Sequence, residues 1–132
     1  MLTIKTLKLN KRTLSQNSKL YYLINKVYQE LYTLNAEYSN FYSWYYQKVL
    51  PGIFDGTRTI LLKLHQNNLA GISILKESLN EKKICTLRVS HNFRRTGIGK
   101  ELLNQSFEEL QTATPLITVS SKHLDEFRHL FG

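Results

Sequence analysis

Apolar residues recur along the chain with two periods. Leu2 and Ile4 alternate with polar residues, as do Leu7 and Leu9, but the two pairs are one residue out of phase. That pattern predicts a first strand with a bulge or bend near Lys5-Thr6. A polar stretch over residues 10–18 supplies turn and cap residues. Leu20, Leu23, Ile24, Val27, Leu31 and Leu34 then follow at helical spacing, with Ser18 as the expected N-cap. Asn35 is expected to break this helix. Tyr38, Phe41, Tyr42, Tyr45 and Val49 mark one face of a second helix, which Pro51-Gly52 should end.

The middle of the chain holds apolar-rich segments separated by turn signals. Residues 59–65, 69–76 and 83–89 read as a three-stranded meander, with Gln66-Asn67-Asn68 as one turn and residues 78–82 as the other. Ile98, Leu102, Leu103, Phe107 and Leu110 then define an amphipathic helix, and Pro115 closes the connection. Leu116-Ile117-Thr118-Val119 reads as a short strand. Leu124, Phe127, Leu130 and Phe131 place a last helix over residues 122–131. The expected order is β-α-α-β-β-β-α-β-α, an α/β fold with a mixed sheet flanked by helices. The strand–helix–strand crossover near its end should be right-handed and leave its two strands parallel.

A length of 132 residues fits a single domain, residues 1–132. One cysteine excludes an internal disulfide framework and suits a reducing compartment. No stretch is long and apolar enough to span a membrane, and no secretory h-region follows the N-terminus, so a cytoplasmic location is expected. With 18 Lys and Arg against 10 Asp and Glu, the net charge is +8. Lys5, Lys8, Lys11, Arg12, Lys19 and Lys26 precede the first acid of the chain. Such a surface attracts phosphate, whether of a cofactor or a nucleic acid; a solvated basic face accounts for the same charge.

The segment with chemistry runs Val89-Ser90-His91-Asn92-Phe93-Arg94-Arg95-Thr96-Gly97-Ile98-Gly99-Lys100. A strand ends, a short basic loop follows, and a helix begins. A helix N-terminus presents unsatisfied N–H groups and partial positive charge, so it binds phosphate readily. Gly97 and Gly99 allow close approach of an anion. Arg94, Arg95 and Lys100 add countercharge, and Thr96 and Ile98 complete the turn. The spacing fails the Gly-x-x-x-x-Gly-Lys-Ser/Thr loop, and Gly97-x-Gly99 is too little and too late in the chain for a dinucleotide fingerprint. It meets the acetyl-CoA pattern Arg/Gln-x-x-Gly-x-Gly/Ala at Arg94, Gly97 and Gly99.

In this loop, in the strand before it and in the order of elements, the sequence resembles the GNAT N-acetyltransferase superfamily. The resemblance implies that acetyl-CoA is the co-substrate. Its pantetheine arm would lie along the backbone of Leu87, Arg88 and Val89, and its pyrophosphate on residues 94–100. It implies direct acetyl transfer to a primary amine, with a nearby base taking a proton from the amine. The acceptor could be a small molecule, a protein amine or an aminoacylated tRNA.

The sequence also departs from the family. His91 stands where proline is common. Glu77 and Glu81 lie near strand ends rather than on the central strands, and Cys85 reads as a small buried thiol, so no catalytic residue is assigned. His123 and Leu130 stand near the positions usual for an asparagine and a tyrosine, and the sequence stops at Gly132 before the family's last two strands, so the expectation is either a naturally short domain or a fragment of a longer one. The fifth strand would then have an open edge, which a homodimer could cover. Among His65, His91, His123 and His129 no spacing suggests a metal. The aromatics Tyr38, Tyr42, Trp44, Tyr45 and Tyr46 either line an acceptor site or pack with ring inside and hydroxyl out. Two other functions remain open: a CoA-binding module with little catalysis, and a basic protein that binds RNA or other nucleic acid.

Overall fold

The computed structural model describes residues 3–32 and 40–117. Five strands form one sheet in the order β1-β2-β3-β4-β5. They are β1 (Lys5–Leu9), β2 (Arg58–His65), β3 (Asn68–Glu77), β4 (Lys82–Val89) and β5 (Leu116–Ile117). The first four pair antiparallel with their neighbours, and β5 joins β4 in parallel, Lys83 opposite Leu116 and Ile84 opposite Ile117. The mixed sheet and the parallel crossover match the expected α/β plan. Thr118 and Val119 of the expected fifth strand, the last helix over residues 122–131, and Leu34 and Tyr38 lie outside the described residues.

The first strand differs from expectation. From Lys5 to Leu9 it pairs with β2 in unbroken register, Lys5 opposite Leu64 and Leu9 opposite Ile60. The phase change in the sequence arises because Ile4 precedes the strand.

The helices before β2 are more divided than their periodicity implies. An unexpected helix, α1 (Lys11–Gln16), occupies the polar stretch. Asn10 nucleates it: its Oδ1 accepts the Thr13 N–H at 2.8 Å, and its own N–H donates to Thr13 Oγ1 at 3.0 Å. This reciprocal cap satisfies two donors that would otherwise be orphaned. A 3₁₀ turn, Ser18–Tyr21, leads into α2 (Tyr22–Tyr32). Its cap is Asn17, whose Oδ1 accepts from the Lys19 N–H at 3.1 Å, and not Ser18. Leu23, Ile24, Val27 and Leu31 form the buried face of α2, as their spacing predicts.

The next helical run passes through Pro51-Gly52 instead of ending there. It comprises α3 (Phe41–Trp44), a π-helical turn (Tyr45–Val49) and α4 (Leu50–Asp55). Leu50 donates its N–H to the Tyr45 carbonyl, five residues back. This wider turn sits directly ahead of Pro51, whose ring would otherwise crowd the preceding turn. Gly56, at φ +86°, ends the run in the left-handed conformation that glycine adopts at low cost. Gly52 is needed for space, because a Cβ there would lie 2.2 Å from Arg58 Cγ.

Each face of the sheet buries its own core. Leu9, Ile60, Leu62, Ile72 and Ile74 pack against α1, α2 and the 41–55 helical run. Leu61, Leu75 and Ile84 pack against Leu102, Leu103 and Leu110 of α5 (Ile98–Leu110). With roughly 1.5–3 kcal/mol gained per buried aliphatic side chain, both layers contribute to holding the sheet, the helical layer before β2 more than α5. No helix among the described residues is long and apolar enough to cross a membrane.

Candidate functional site

The site is built at the carboxyl end of β4. Ile74 of β3 faces Thr86, but the next residue, Leu75, faces Ile84, so Cys85 is an extra residue bulged out of β4. The bulge resets the alternation of side chains. Ile84 and Leu87, three positions apart, both join the core beneath α5, whereas Cys85 packs towards the α2 side. A bulge also increases local twist and re-aims the strand beyond it. Leu87, Arg88 and Val89 follow it, opposite Ser73, Ile72 and Gly71. The described part of β5 pairs only with Lys83 and Ile84, on the amino-terminal side of the bulge.

After Val89 the chain is pinned and then curled. The Ser90 N–H donates to the Ala70 carbonyl at 2.9 Å, and its Oγ to that of Leu69 at 2.7 Å. A 3₁₀ turn, His91–Phe93, follows. The Phe93 ring meets the His65 ring edge-on at 5.6 Å. Arg94 donates from Nε to the Val89 carbonyl at 3.4 Å, and Thr96 from Oγ1 to the Phe93 carbonyl at 2.5 Å. Arg95 at φ +63° and Gly97 at φ +88° then make two left-handed steps around Thr96.

These steps deliver Gly97 to the N-cap of α5. The first intrahelical bond runs from the Glu101 N–H to the Gly97 carbonyl at 3.1 Å, so the N–H groups of Ile98, Gly99 and Lys100 precede the ladder. No side chain caps them from the N-cap position. A Cβ placed on Gly97 would meet nothing within 4 Å, so the space beside this N-cap is open. Arg95, Thr96, Gly97 and Lys100 are exposed, Arg94 is half-buried, and Ile98 and Gly99 are buried. The turn thus offers backbone donors and exposed cations around open space, an arrangement that can hold a diphosphate. The site residues read from the sequence therefore lie contiguously here, Leu87, Arg88 and Val89 on the strand and residues 94–100 at the helix start.

The opposite face carries the aromatic residues. Tyr45 is fully buried and its hydroxyl donates to the Ile24 carbonyl at 2.6 Å. Burial pushes that hydroxyl's pKa far above the ordinary tyrosine value, with Tyr46 adding to the effect. Tyr46 donates to Asn25 Oδ1 at 2.7 Å, and its ring lies 4.9 Å from that of Tyr28. Trp44 lies under the Arg58 guanidinium at 5.9 Å. Tyr45 and Tyr46 thus pack ring inward and fasten α2 to the 41–55 run, which leaves Tyr42, 61% exposed, as the open member of the group. Arg58 also donates to Cys85 Sγ at 3.2 Å, while burial raises the thiol's pKa.

The carboxylates lie elsewhere. Glu77 pairs with Lys82 at 3.5 Å and Glu81 with Lys76 at 3.1 Å, at the hairpin that begins β4, the far end from Ser90. The hydrogen bond and charge of Lys76 hold the Glu81 carboxyl below its ordinary range. Thr57 does the same for Asp55 through two hydrogen bonds. Among the described residues no group of three or more His, Cys, Asp or Glu could hold a metal. Sequence reasoning missed Lys63, whose fully buried ammonium donates to Thr6 Oγ1 at 2.8 Å and Glu101 Oε1 at 2.6 Å. Its one signal was a lysine inside the apolar run Ile60-Leu61-Leu62-Lys63-Leu64.

Comparisons with known proteins agree with this fold. ElaA of Escherichia coli superposes with a TM-score of 0.69 at 18% identity, covering 98% of this chain and 86% of that one. An acetyltransferase of the GNAT family from Staphylococcus aureus Mu50 gives 0.66 at 14% identity, covering 96% and 80%. An aminoglycoside acetyltransferase from an uncultured soil metagenomic sample, in complex with trehalose, gives 0.56 at 22%, covering 98% and 88%. At these identities the likeness is one of fold. No curated protein matches the chain. A family model described as an acetyltransferase (GNAT) domain matches residues 22–129, a span that holds the bulged strand, the left-handed turn and α5. On that match and that fold, the chain belongs to the GNAT acetyltransferase family.

Proposed function

We propose that this protein transfers an acetyl group from acetyl-CoA to a primary amine. The observation that carries the reading is Gly97: a left-handed, uncapped N-cap whose Cβ direction is empty, flanked by exposed Arg95 and Lys100. The pyrophosphate would sit there, on the N–H groups of Ile98, Gly99 and Lys100, with Arg94, Arg95 and Lys100 as countercharge and Thr96 at the rim. The pantetheine arm would run along the backbone of Leu87, Arg88 and Val89, past the bulge at Cys85.

Acetyl-CoA supplies a thioester carbonyl. The amine nitrogen forms the new C–N bond as the C–S bond breaks, the sulfur departs with the electron pair and is protonated, and the nitrogen gives up a proton. The chain's part is to hold the thioester against the acceptor and exclude competing water. Glu77 and Glu81 are paired with lysines at the far end of β4, so neither is placed to take the proton.

The test combines calorimetric titration with acetyl-CoA and thiol release in the presence of a panel of primary amines. Saturable binding with amine-dependent thiol release is the expected result. Binding without release from any amine would reduce the protein to a CoA-binding module. No binding at millimolar acetyl-CoA would overturn the proposal.

A further inference from the structure

We propose that Lys63 is a positioning residue for the diphosphate site: it sequesters the Glu101 carboxylate and so keeps the start of α5 open to an anion. The inference rests on the acetyl-CoA reading above. Glu101 lies in the first turn of α5, and its N–H makes the first bond of the helix ladder, directly after the three open donors. Helix side chains lean towards the N-terminus, so an acid there would by default reach over the preceding turn. It is attracted by the same N–H groups and partial charge that would hold a phosphate. An unrestrained Glu101 would thus both occupy the donors and repel the ligand.

The structure draws it away. Glu101 Oε1 accepts from Lys63 Nζ at 2.6 Å and from Gln105 Nε2, one turn further along the helix, at 3.5 Å. The Lys63 side chain is 0% exposed and that of Glu101 59%. The lysine is therefore the fixed partner and the glutamate the one that would otherwise move. Lys63 is held from below by Thr6 of β1 and stands opposite Gly71 of β3, against which Ile98 and Leu102 of the same helical turn pack. The ammonium is buried and costly to leave unpaired, whereas the carboxylate reaches solvent, so the pair holds Glu101 in one place and away from the helix start.

The test separates charge control from packing. Acetyl-CoA affinity is titrated for the wild type, Lys63→Met, Glu101→Gln and the double variant, each melted without ligand to read its stability. Lys63→Met should weaken binding about tenfold, the scale of a released charge at a helix terminus that also competes for its donors. Glu101→Gln should bind at least as tightly as wild type although it leaves a buried ammonium without its carboxylate. The double variant should recover wild-type affinity, which a loss of packing at Lys63 would not allow. In turnover, Lys63→Met should raise the KM for acetyl-CoA and leave kcat unchanged. If Lys63→Met does not fold, Lys63→Gln, which keeps a donor for Thr6, takes its place. Wild-type affinity in the lysine variant, or a double variant as weak as the single, would overturn the inference and leave the proposed function standing. A wild type that binds no acetyl-CoA would overturn both.

Discussion

Gly97 and Gly71 meet at α5 for opposite physical reasons. Gly97 has a left-handed backbone and empty space around its missing Cβ. Gly71 has crowding, since a Cβ would meet Leu102 Cδ2 at 3.1 Å and Ile98 Cγ2 at 3.3 Å. Gly71→Ala should therefore lower stability by about 1–3 kcal/mol through overpacking, seen as a lower melting temperature without ligand. Gly97→Asn should melt close to wild type, because asparagine tolerates the left-handed region, yet lose acetyl-CoA affinity as its side chain enters the open space. Tyr45 gives a prediction in pH. Its hydroxyl stays protonated in the folded chain well above the ordinary tyrosine range of about 10, so the unfolded chain loses its proton first. That contribution to stability is complete below pH about 10 and is lost as the pH rises towards the folded value. Tyr45→Phe should flatten the alkaline fall in melting temperature. Gly97 was legible from its spacing to Arg94 and Gly99. Lys63 was not, because alternation shows that a position is inward without naming the carboxylate it meets.

Among the elements, α5 was legible because its apolar period is regular, and the three meander strands because each is apolar-rich and bounded by turn residues. Helix α1 was missed although its signal was present: Asn10 and Thr13 stand at capping-box spacing, but the box lies within a stretch too polar to suggest a helix. Asn10→Ala should lower stability by about 1 kcal/mol, as loss of a reciprocal cap does, without changing acetyl-CoA affinity. Pro51 was read as a terminator because propensity treats a proline locally. The π-helical turn ahead of it is a tertiary adjustment that lets Tyr45 keep its bond to Ile24. The bulge at Cys85 had only one signature, the three-residue spacing of Ile84 and Leu87, which went unread because Cys85 and Thr86 continue an ordinary strand composition. It nonetheless decides which way Leu87, Arg88 and Val89 face.

At the scale of the molecule, one sheet separates two tasks. Its α5 face carries the left-handed turn proposed to hold the diphosphate, and the other carries the aromatic layer that fastens α2 to the 41–55 helical run. The net charge of +8 is distributed over many surface lysines and does not by itself select a ligand. The proposed diphosphate turn differs, because exposed Arg95 and Lys100 flank the backbone donors at the start of α5. Acetyl-CoA binding should therefore weaken as ionic strength rises, yet persist where exposed lysines alone would be screened. Single-stranded RNA, offered only the distributed charge, should lose its binding steeply over the same range. The order of elements made the family legible, and the spacing of Gly97 and Gly99 marked the helix start at which the diphosphate is proposed to bind. The acceptor side was not, since the tyrosines that suggested it prove in part to be core.

The most direct measurement is calorimetric titration of acetyl-CoA into the wild-type protein and the Gly97→Asn variant, with the melting temperature of each followed alongside. The wild type should bind saturably, and at roughly 100 times Kd the ligand should add about 2.7 kcal/mol of stability and raise the melting temperature. The variant should fold as well without ligand and show neither effect. Equal binding by both proteins would contradict the placement of the diphosphate at the start of α5, and binding by neither would contradict the assignment of acetyl-CoA.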